Sequence, residues 1–136
     1  MFDYKQLVFV YGSLKQGFHN HSVMEEEAGI LVDTAETVDS CFTMYSLGSY
    51  PGVWNDGKYK IKGELYCVDK LSGLDHLEGY PKYYTRHKVK VRTGTNPDDF
   101  LWAWMYVLNS LHNSRPANCL TVHSGEWQKE NVDAPF

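Results

Sequence analysis

The sequence predicts an α+β fold that contains more strand than helix. Alternating or continuous apolar runs indicate at least five strands, whereas apolar residues at helical spacing occur only in two or three short segments. The chain of 136 residues fits one domain, and it contains no internal repeat, low-complexity tract or convincing linker. We therefore expect residues 1–136 to form a single domain.

The first predicted strand covers residues 7–10 and runs directly into a loop of small residues. Tyr11, Gly12 and Ser13 follow this apolar run. Glycine lets a ligand approach the main chain closely, and successive N–H groups in such a turn can bind an anion. The same stretch, taken alone, also fits an ordinary junction between a strand and a loop.

The next segments predict one short helix and a few short strands. The helix covers about residues 20–28, ends at Gly29 and carries a solvated run of glutamates at 25–27. Residues 30–47 indicate one or two strands. Residues 50–53 are expected to form a turn or edge segment that closes one side of a pocket.

Alternation from residue 59 to residue 68 predicts an antiparallel strand that is half exposed to solvent. Its apolar face holds Tyr59, Ile61, Leu65 and Cys67, and its polar face holds Lys60, Lys62 and Glu64. We therefore expect Glu64 to be a surface residue rather than a second catalytic carboxylate.

A second short helix precedes the turn at Gly79 and Pro81, and Asp69 is its expected N-cap. Its apolar stripe consists of Leu71, Leu74 and Leu77. Glu78 lies in the last turn at the edge of this stripe, where the helix dipole disfavours the ionised carboxylate by roughly 0.3–1 kcal/mol. Because this is less than one pKa unit, burial must supply the rest if Glu78 is to act as a base near neutral pH.

Two further strands and an irregular arm complete the predicted fold. Residues 84–92 form a strand with Val89 and Val91 pointing inward. Residues 109–136 are polar and are expected to wrap as an irregular C-terminal arm that Trp127 anchors.

The strand at residues 100–108 is apolar on both faces, so both faces must be covered. One face can fill the core. The other face holds Trp102, Trp104 and Tyr106, and we expect the C-terminal tail or a partner subunit to cover it.

The composition excludes several classes of function. The net charge of −4 gives no broad attraction to nucleic acid or to an anionic membrane. The sequence contains no run of 18 apolar residues, and its first residues lack the pattern of a signal peptide. Cys41, Cys67 and Cys119 are odd in number and widely spaced, which favours reduced thiols. We expect a cytoplasmic protein, a monomer or weak homodimer, that binds neither nucleic acid nor membranes.

Five short motifs, in this order, resemble the γ-glutamylcyclotransferase superfamily and most closely its γ-glutamylamine cyclotransferase-like branch. They are Tyr11-Gly12-Ser13-Leu14-Lys15, Asn20-His21, Gly63-Glu64-Leu65-Tyr66, Leu74-Asp75-x-Leu77-Glu78-Gly79 and Tyr84-x-Arg86. The resemblance extends from about Leu7 to about Val91, and more loosely through 104–106 and 124–127. It implies a small, mostly antiparallel β-barrel with a few short helices, and a pocket at the loop of residues 11–14.

The resemblance also implies a reaction. The α-amine of a γ-glutamyl amide attacks its own γ-carbonyl, and the products are 5-oxoproline and a free amine or amino acid. Glu78 would act as the acid and base, and the N–H groups of Gly12, Ser13 and Leu14 would bind the substrate's α-carboxylate. The small-molecule γ-glutamyl substrate is the expected partner, and the reaction requires no cofactor and no metal.

Other candidate residues have alternatives that the sequence leaves open. Tyr11 and Tyr106 either contact the substrate or pack, and Tyr11 can use its hydroxyl to hold the loop. Tyr84 is a secondary candidate, and Arg86 is expected to form a structural ion pair or to clamp a backbone carbonyl. Lys15 is expected to be solvated.

Metal and nucleophile chemistry find weaker support. His19 and His21 lack the further ligands of a recognisable zinc spacing, and the run of glutamates at 25–27 points in different directions on a helix. Cys67 on an apolar strand face is typical of an inert thiol, and Ser13 lacks the surrounding nucleophile motif. Two rival functions stay open: a catalytically silent binding module on the same fold, and a cyclotransferase for a tailored biosynthetic intermediate.

Overall fold

The computed structural model describes residues 5–108 and 120–128, and these form two short helices and eight strands. The helices are α1 (His21–Glu26) and α2 (Ser72–Leu77). The strands are β1 (Gln6–Val10), β2 (Ile30–Thr37), β3 (Phe42–Ser46), β4 (Pro51–Tyr59), β5 (Lys62–Val68), β6 (Tyr84–Thr93), β7 (Leu101–Leu108) and β8 (Leu120–Thr121). No helix among these residues is long and apolar enough to cross a membrane.

Five strands close into a barrel in the order β1-β5-β2-β6-β7. β1 and β7 pair in parallel, whereas every other neighbouring pair is antiparallel. Alternate residues of the strands carry apolar side chains into one buried cluster, which includes Phe9, Ala35, Leu65, Val91 and Met105. The predicted α+β fold with a small, mostly antiparallel barrel is confirmed.

A second buried cluster lies outside the barrel, where the helices cover β1 and β5. Met24 of α1 and Leu74 of α2 pack there with Val8, Tyr66 and Val68, and all five are at most 1% exposed. The predicted polar face of this segment is exposed only at the start of β5, at Lys62, because the helices bury Tyr66 and Val68 farther along the same face. The same segment also divides into two strands, since β4 ends at residue 59 and β5 begins at residue 62.

The remaining strands form a separate sheet in the order β4-β3-β8. β8 belongs to the predicted C-terminal arm, and Trp127, which follows it, is fully buried. The backbone near Trp127 is tied to the barrel, because the N–H of Lys62 donates to the carbonyl of Gly125 at 2.8 Å. The rest of the arm, residues 109–119 and 129–136, lies outside the described residues.

The beginning of α2 differs from the prediction. Leu71 occupies the N-cap position without a side-chain cap, so the assignment of Asp69 as the cap is wrong. Asp69 instead forms an exposed ion pair with Lys5, with Nζ and Oδ1 3.1 Å apart. Packing of Leu71 and Leu74 against the barrel stabilises this short helix in place of a cap.

The outer face of β7 was predicted to be covered by the C-terminal tail or a partner subunit, and this stays a prediction because residues 109–119 and 129–136 lie outside the described residues. Within the described residues, neighbouring side chains of β6 lie over the indole rings of β7. The cation of Arg86 is 4.5 Å from the centre of the Trp104 ring, and the cation of Lys90 is 5.6 Å from that of Trp102. Trp102 stays 51% exposed, so cations of β6 cover this face only in part.

Candidate active site

A cavity of about 220 Å³ opens beside the loop that follows β1. All six residues that the sequence analysis assigns to the site line this cavity: Tyr11, Gly12, Ser13, Leu14, Glu78 and Tyr106. They come from the loop, the end of α2 and strand β7. The structure thus brings the predicted site residues together, while their roles in a reaction stay predictions.

The loop is held in a tight turn that leaves several N–H groups available. The N–H of Lys15 donates to the carbonyl of Gly12 at 3.1 Å. Asn20 donates twice to Ser13, from its N–H to the carbonyl at 3.0 Å and from Nδ2 to Oγ at 2.9 Å. Across the part of the chain that the structure describes, the N–H groups of Gly12, Ser13 and Leu14 have no protein acceptor. Adjacent N–H groups of this kind can bind an anion.

The opposite wall of the cavity comes from β4 and from the segment before β6. Gly12 lies against this wall so closely that a Cβ would be 2.9 Å from both Cγ and Cδ of Pro51. The Tyr84 hydroxyl donates to the carbonyl of Pro51 at 2.9 Å, and the hydroxyls of Tyr50 and Tyr83 are 2.8 Å apart. These contacts fix the width of the cavity at the loop.

Glu78 immediately follows α2. Its N–H donates to the carbonyl of Leu74 at 2.9 Å, and Gly79 then turns the chain with φ of +64°. The carboxyl makes no hydrogen bond or ion pair with any described residue, although the surrounding protein removes much of its water. This desolvation raises the pKa of Glu78 to about 7. A carboxyl with this pKa can both accept and release a proton near neutral pH.

Tyr11 is buried next to Glu78, and its hydroxyl is already committed. It donates to the carbonyl of Tyr106 at 2.6 Å. Burial, and then the charge of Glu78, raise the pKa of Tyr11 well above its usual value, so the hydroxyl stays protonated. This contact supports the alternative in which Tyr11 holds the loop.

Asp75, three residues before Glu78, holds Arg86 and Tyr106 together. Its carboxylate accepts hydrogen bonds from Nε and Nη2 of Arg86 at 2.8 and 3.2 Å, and from the Tyr106 hydroxyl at 2.6 Å. The expected structural ion pair of Arg86 is therefore present. Asp75 was part of the motif in the sequence, but its spacing alone gave no indication that it would join Arg86 to Tyr106.

A family model described as "Gamma-glutamyl cyclotransferase, AIG2-like" matches residues 8–129 of the sequence. The chain belongs to this family. The match includes the loop, the end of α2 and the buried residue Trp127.

Curated relatives agree with this family, and a solved structure shares the fold. A Vibrio cholerae protein named "Putative gamma-glutamylcyclotransferase" is 34% identical over 125 residues, which span 90% of this chain and 96% of that protein. The Rattus norvegicus protein named "Gamma-glutamylaminecyclotransferase" is 37% identical over 94 residues, 62% of each chain. The crystal structure of an AIG2-like protein from Mus musculus has the same fold, with a TM-score of 0.75 and 23% identity over 98% of this chain and 97% of that one.

The prediction that the Lys15 side chain is solvated is wrong. Lys15 is only 8% exposed, and its Nζ donates to the carbonyl of Trp127. Desolvation lowers the pKa of Lys15. The lysine thus ties the loop to the C-terminal segment that the family model also includes.

Tyr50 and Pro51, from the segment expected to close one side of the pocket, do line the cavity. Sequence reasoning missed His19 and Tyr83, which belong to the cavity wall and which only their position in the fold identifies. His21 faces elsewhere, with Nδ1 2.8 Å from the carbonyl of Leu14. Among the described residues, no three side chains of His, Cys, Asp or Glu come together as a metal site.

Proposed function

We propose that this γ-glutamylcyclotransferase-family protein converts a γ-glutamyl amide into 5-oxoproline and a free amine by intramolecular ring closure. The observation that carries the proposal is the Glu78 carboxyl, which lines the cavity without a protein partner and has a pKa raised to about 7. The alternative carboxyl of Asp75 is already engaged by Arg86 and Tyr106.

Glu78 carries protons from the α-nitrogen to the departing nitrogen. Its carboxylate takes one proton from the substrate's α-ammonium, and the resulting amine attacks the γ-carbonyl carbon to form the five-membered ring. The amide C–N bond then breaks, and the Glu78 carboxylic acid gives that proton to the departing nitrogen. The ring nitrogen loses its second proton through the regenerated carboxylate to the released amine, which leaves 5-oxoproline and an ammonium ion. A general acid–base group contributes about 10²–10⁴ in rate, and holding the amine next to the carbonyl contributes further.

The loop supplies the binding contacts in this proposal. The N–H groups of Gly12, Ser13 and Leu14 have no protein acceptor among the described residues, and they are suited to the substrate's α-carboxylate. One of them can also stabilise the oxyanion that forms on the γ-carbonyl. Tyr11 and Tyr106 shape the cavity and keep the loop and Asp75 in position.

The lining of the cavity favours a γ-glutamylamine over a substrate with a carboxylate beside the scissile amide. No lysine or arginine is among the described residues that line it. A carboxylate on the leaving group would be desolvated with the His19 imidazole as the one basic side chain in that described lining, which is costly without a closer cationic partner. The leaving groups that fit best are amines without a charge close to the amide. The same set of residues performs the reaction without a cofactor, so we expect a chelator to leave the rate unchanged.

The test is an assay of 5-oxoproline release from a panel of γ-glutamyl compounds that differ only in the leaving amine. We expect turnover of at least one γ-glutamylamine, and Glu78→Gln to lower kcat by about 10²–10⁴ without loss of the fold. Glu26→Gln removes an exposed carboxylate of α1 and serves as the matched control. Turnover by Glu78→Gln at the normal rate would refute the mechanism. Binding of 5-oxoproline by the wild type without turnover of any compound would favour a silent binding module.

A further inference from the structure

A second cleft, of about 510 Å³, lies on the other side of the loop from the Glu78 cavity. Its described lining includes three cationic and three anionic side chains: Lys15, Lys62, Arg92, Glu36, Glu64 and Glu126. The proposed reaction uses none of them.

Four of these charges form one row across neighbouring strands. Glu126 pairs through its backbone with Lys62, Lys62 with Glu36, and Glu36 with Arg92. The row therefore alternates in sign at the spacing of adjacent strands, which is about 4.8 Å. Opposite charges in direct register usually approach each other and pair.

Here the opposite charges do not pair. None of the six forms an ion pair of 4.0 Å or less with any described residue. Glu64 instead accepts hydrogen bonds at 2.9 Å from the Gln16 N–H and from the Tyr66 hydroxyl. The Arg92 side chain makes no hydrogen bond in the described part of the chain, and its Nε is buried. Because the buried Nε is closed to a ligand, the two Nη groups are the donors that Arg92 offers in the cleft.

We propose that this cleft binds a small zwitterion that carries one carboxylate and one ammonium group, such as a free amino acid or a short peptide. The two Nη groups of Arg92 offer the carboxylate a planar pair of donors, and Lys62 lies two strands away on the same face. Glu36 and Glu126 offer acceptors to the ammonium group. A simple anion or cation would meet like charges in the cleft as well as unlike ones, whereas a zwitterion satisfies both signs.

The cleft is mechanically close to the candidate active site. Lys15 follows Leu14 directly, so one loop lines both cavities. Gly63 of the cleft lies directly against Val10 of the other cavity, because a Cβ at Gly63 would collide with the Val10 carbonyl oxygen. Because the two cavities share this wall and one loop, we expect a ligand in the cleft to change the affinity for the γ-glutamyl substrate, and the substrate to change the affinity of the cleft by the same factor.

Calorimetric titration of the purified full chain tests the proposal with matched probes. Glycine and glycylglycine carry both charges, N-acetylglycine lacks the ammonium group, and glycinamide lacks the carboxylate. We expect at least one zwitterion to bind about tenfold or more tightly than both singly charged analogues. The tighter of glycine and glycylglycine identifies an amino acid or a peptide as the preferred ligand.

Variants locate the bound probe. Arg92→Gln is expected to weaken zwitterion binding about tenfold or more, and the exposed Lys58→Gln, outside the cleft, to leave it unchanged. If Arg92→Gln does not fold, Lys62→Glu provides the same test, because Lys62 is exposed and also lines the cleft. Glu78→Gln should retain the binding, which separates this proposal from the proposed reaction. Any one of four results would overturn the proposal. The first two are equal binding of N-acetylglycine or glycinamide, and displacement of the zwitterion by 5-oxoproline. The other two are unchanged binding in the folded cleft variants, and no binding at millimolar concentration.

Discussion

Two carboxyls, three residues apart at the end of α2, occupy opposite electrostatic environments. Asp75 accepts three hydrogen bonds, two from Arg86 and one from Tyr106. Glu78 has no protein partner among the described residues, and desolvation raises its pKa to about 7. The hydrogen bonds from Arg86 and Tyr106 therefore make Asp75 a structural group. Glu78, which has no such donor among the described residues, is able to exchange a proton with a substrate.

The difference has an energetic consequence. Because the folded protein holds the pKa of Glu78 above its ordinary value of 4.5, ionising this carboxyl costs more in the folded state than in the unfolded state. The region around Asp75 stabilises the fold through its ion pair, and the region around Glu78 destabilises the fold whenever its carboxyl is charged. Strain of this kind is typical of functional sites.

The largest expected effect is on the stability of Glu78→Gln. A pKa that rises from 4.5 to about 7 corresponds to about 3 kcal/mol. The folded state binds the extra proton, so the contribution of Glu78 to wild-type stability is greatest below pH 4.5 and falls until the pH exceeds about 7. We therefore expect Glu78→Gln to gain about 3 kcal/mol relative to wild type between pH 4 and pH 8, measured by urea unfolding.

The exposed Glu26→Gln is the control for this measurement, and its stability relative to wild type should not change between the two pH values. A Glu78→Gln variant that behaves like this control would show that the Glu78 carboxyl is well solvated. The contrast with Asp75 would then disappear.

The second expected effect is on the pH dependence of the reaction. Only the ionised form of Glu78 can accept the proton of the α-ammonium, and a pKa of about 7 leaves roughly 1% ionised at pH 5. We expect kcat/KM to fall about fiftyfold from pH 7 to pH 5. A rate that holds steady down to pH 5 in the steady-state assay would identify an ordinary solvated carboxylate.

The third expected effect tests the contribution of Asp75 to stability. Asp75→Asn removes the charge that Arg86 faces, and both side chains are about 20% exposed. We expect a loss of about 2 kcal/mol in the free energy of unfolding. Asp69→Asn breaks the exposed pair with Lys5, and this control should lose less than about 1 kcal/mol. Equal losses in the two variants would mean that the Asp75 cluster contributes no more than a surface ion pair.

The sequence predicted the fold best where one residue pattern had one physical explanation. The loop after residue 10 and the end of the helix at Glu78 were both visible in local sequence, because glycine and apolar spacing mark them. The direction of the Glu78 pKa shift follows from the same reading, since the helix end alone is too weak and burial must supply the rest.

Local patterns failed where distant segments decide the environment. Alternation in β5 indicated one exposed face, but α1 and α2 cover Tyr66 on that face. Lys15 was expected in solvent, yet the carbonyl of Trp127, more than a hundred residues later, accepts from its amine. The role of Asp75 likewise depends on Arg86 and Tyr106 from two later strands. None of these contacts leaves a periodic signal in the sequence.

The smallest expected effect concerns Ser13, in the loop that lines the same cavity as Glu78. Ser13→Ala keeps the backbone N–H that the proposal assigns to the substrate's α-carboxylate, and it removes only the hydrogen bond from Asn20 to Oγ. A hydrogen bond of this kind contributes about 1 kcal/mol, so we expect KM to rise by less than about tenfold with kcat nearly unchanged.

Gly12→Val is the contrasting variant for this loop. Its side chain would meet the ring of Pro51, where even a Cβ would be 2.9 Å away, so the backbone must move and binding of substrate and of 5-oxoproline must weaken. Steady-state kinetics and calorimetric titration with 5-oxoproline compare the two variants directly. If Ser13→Ala lowers kcat as much as Glu78→Gln does, the Ser13 hydroxyl takes part in the chemistry, and the loop does more than bind a carboxylate through its backbone.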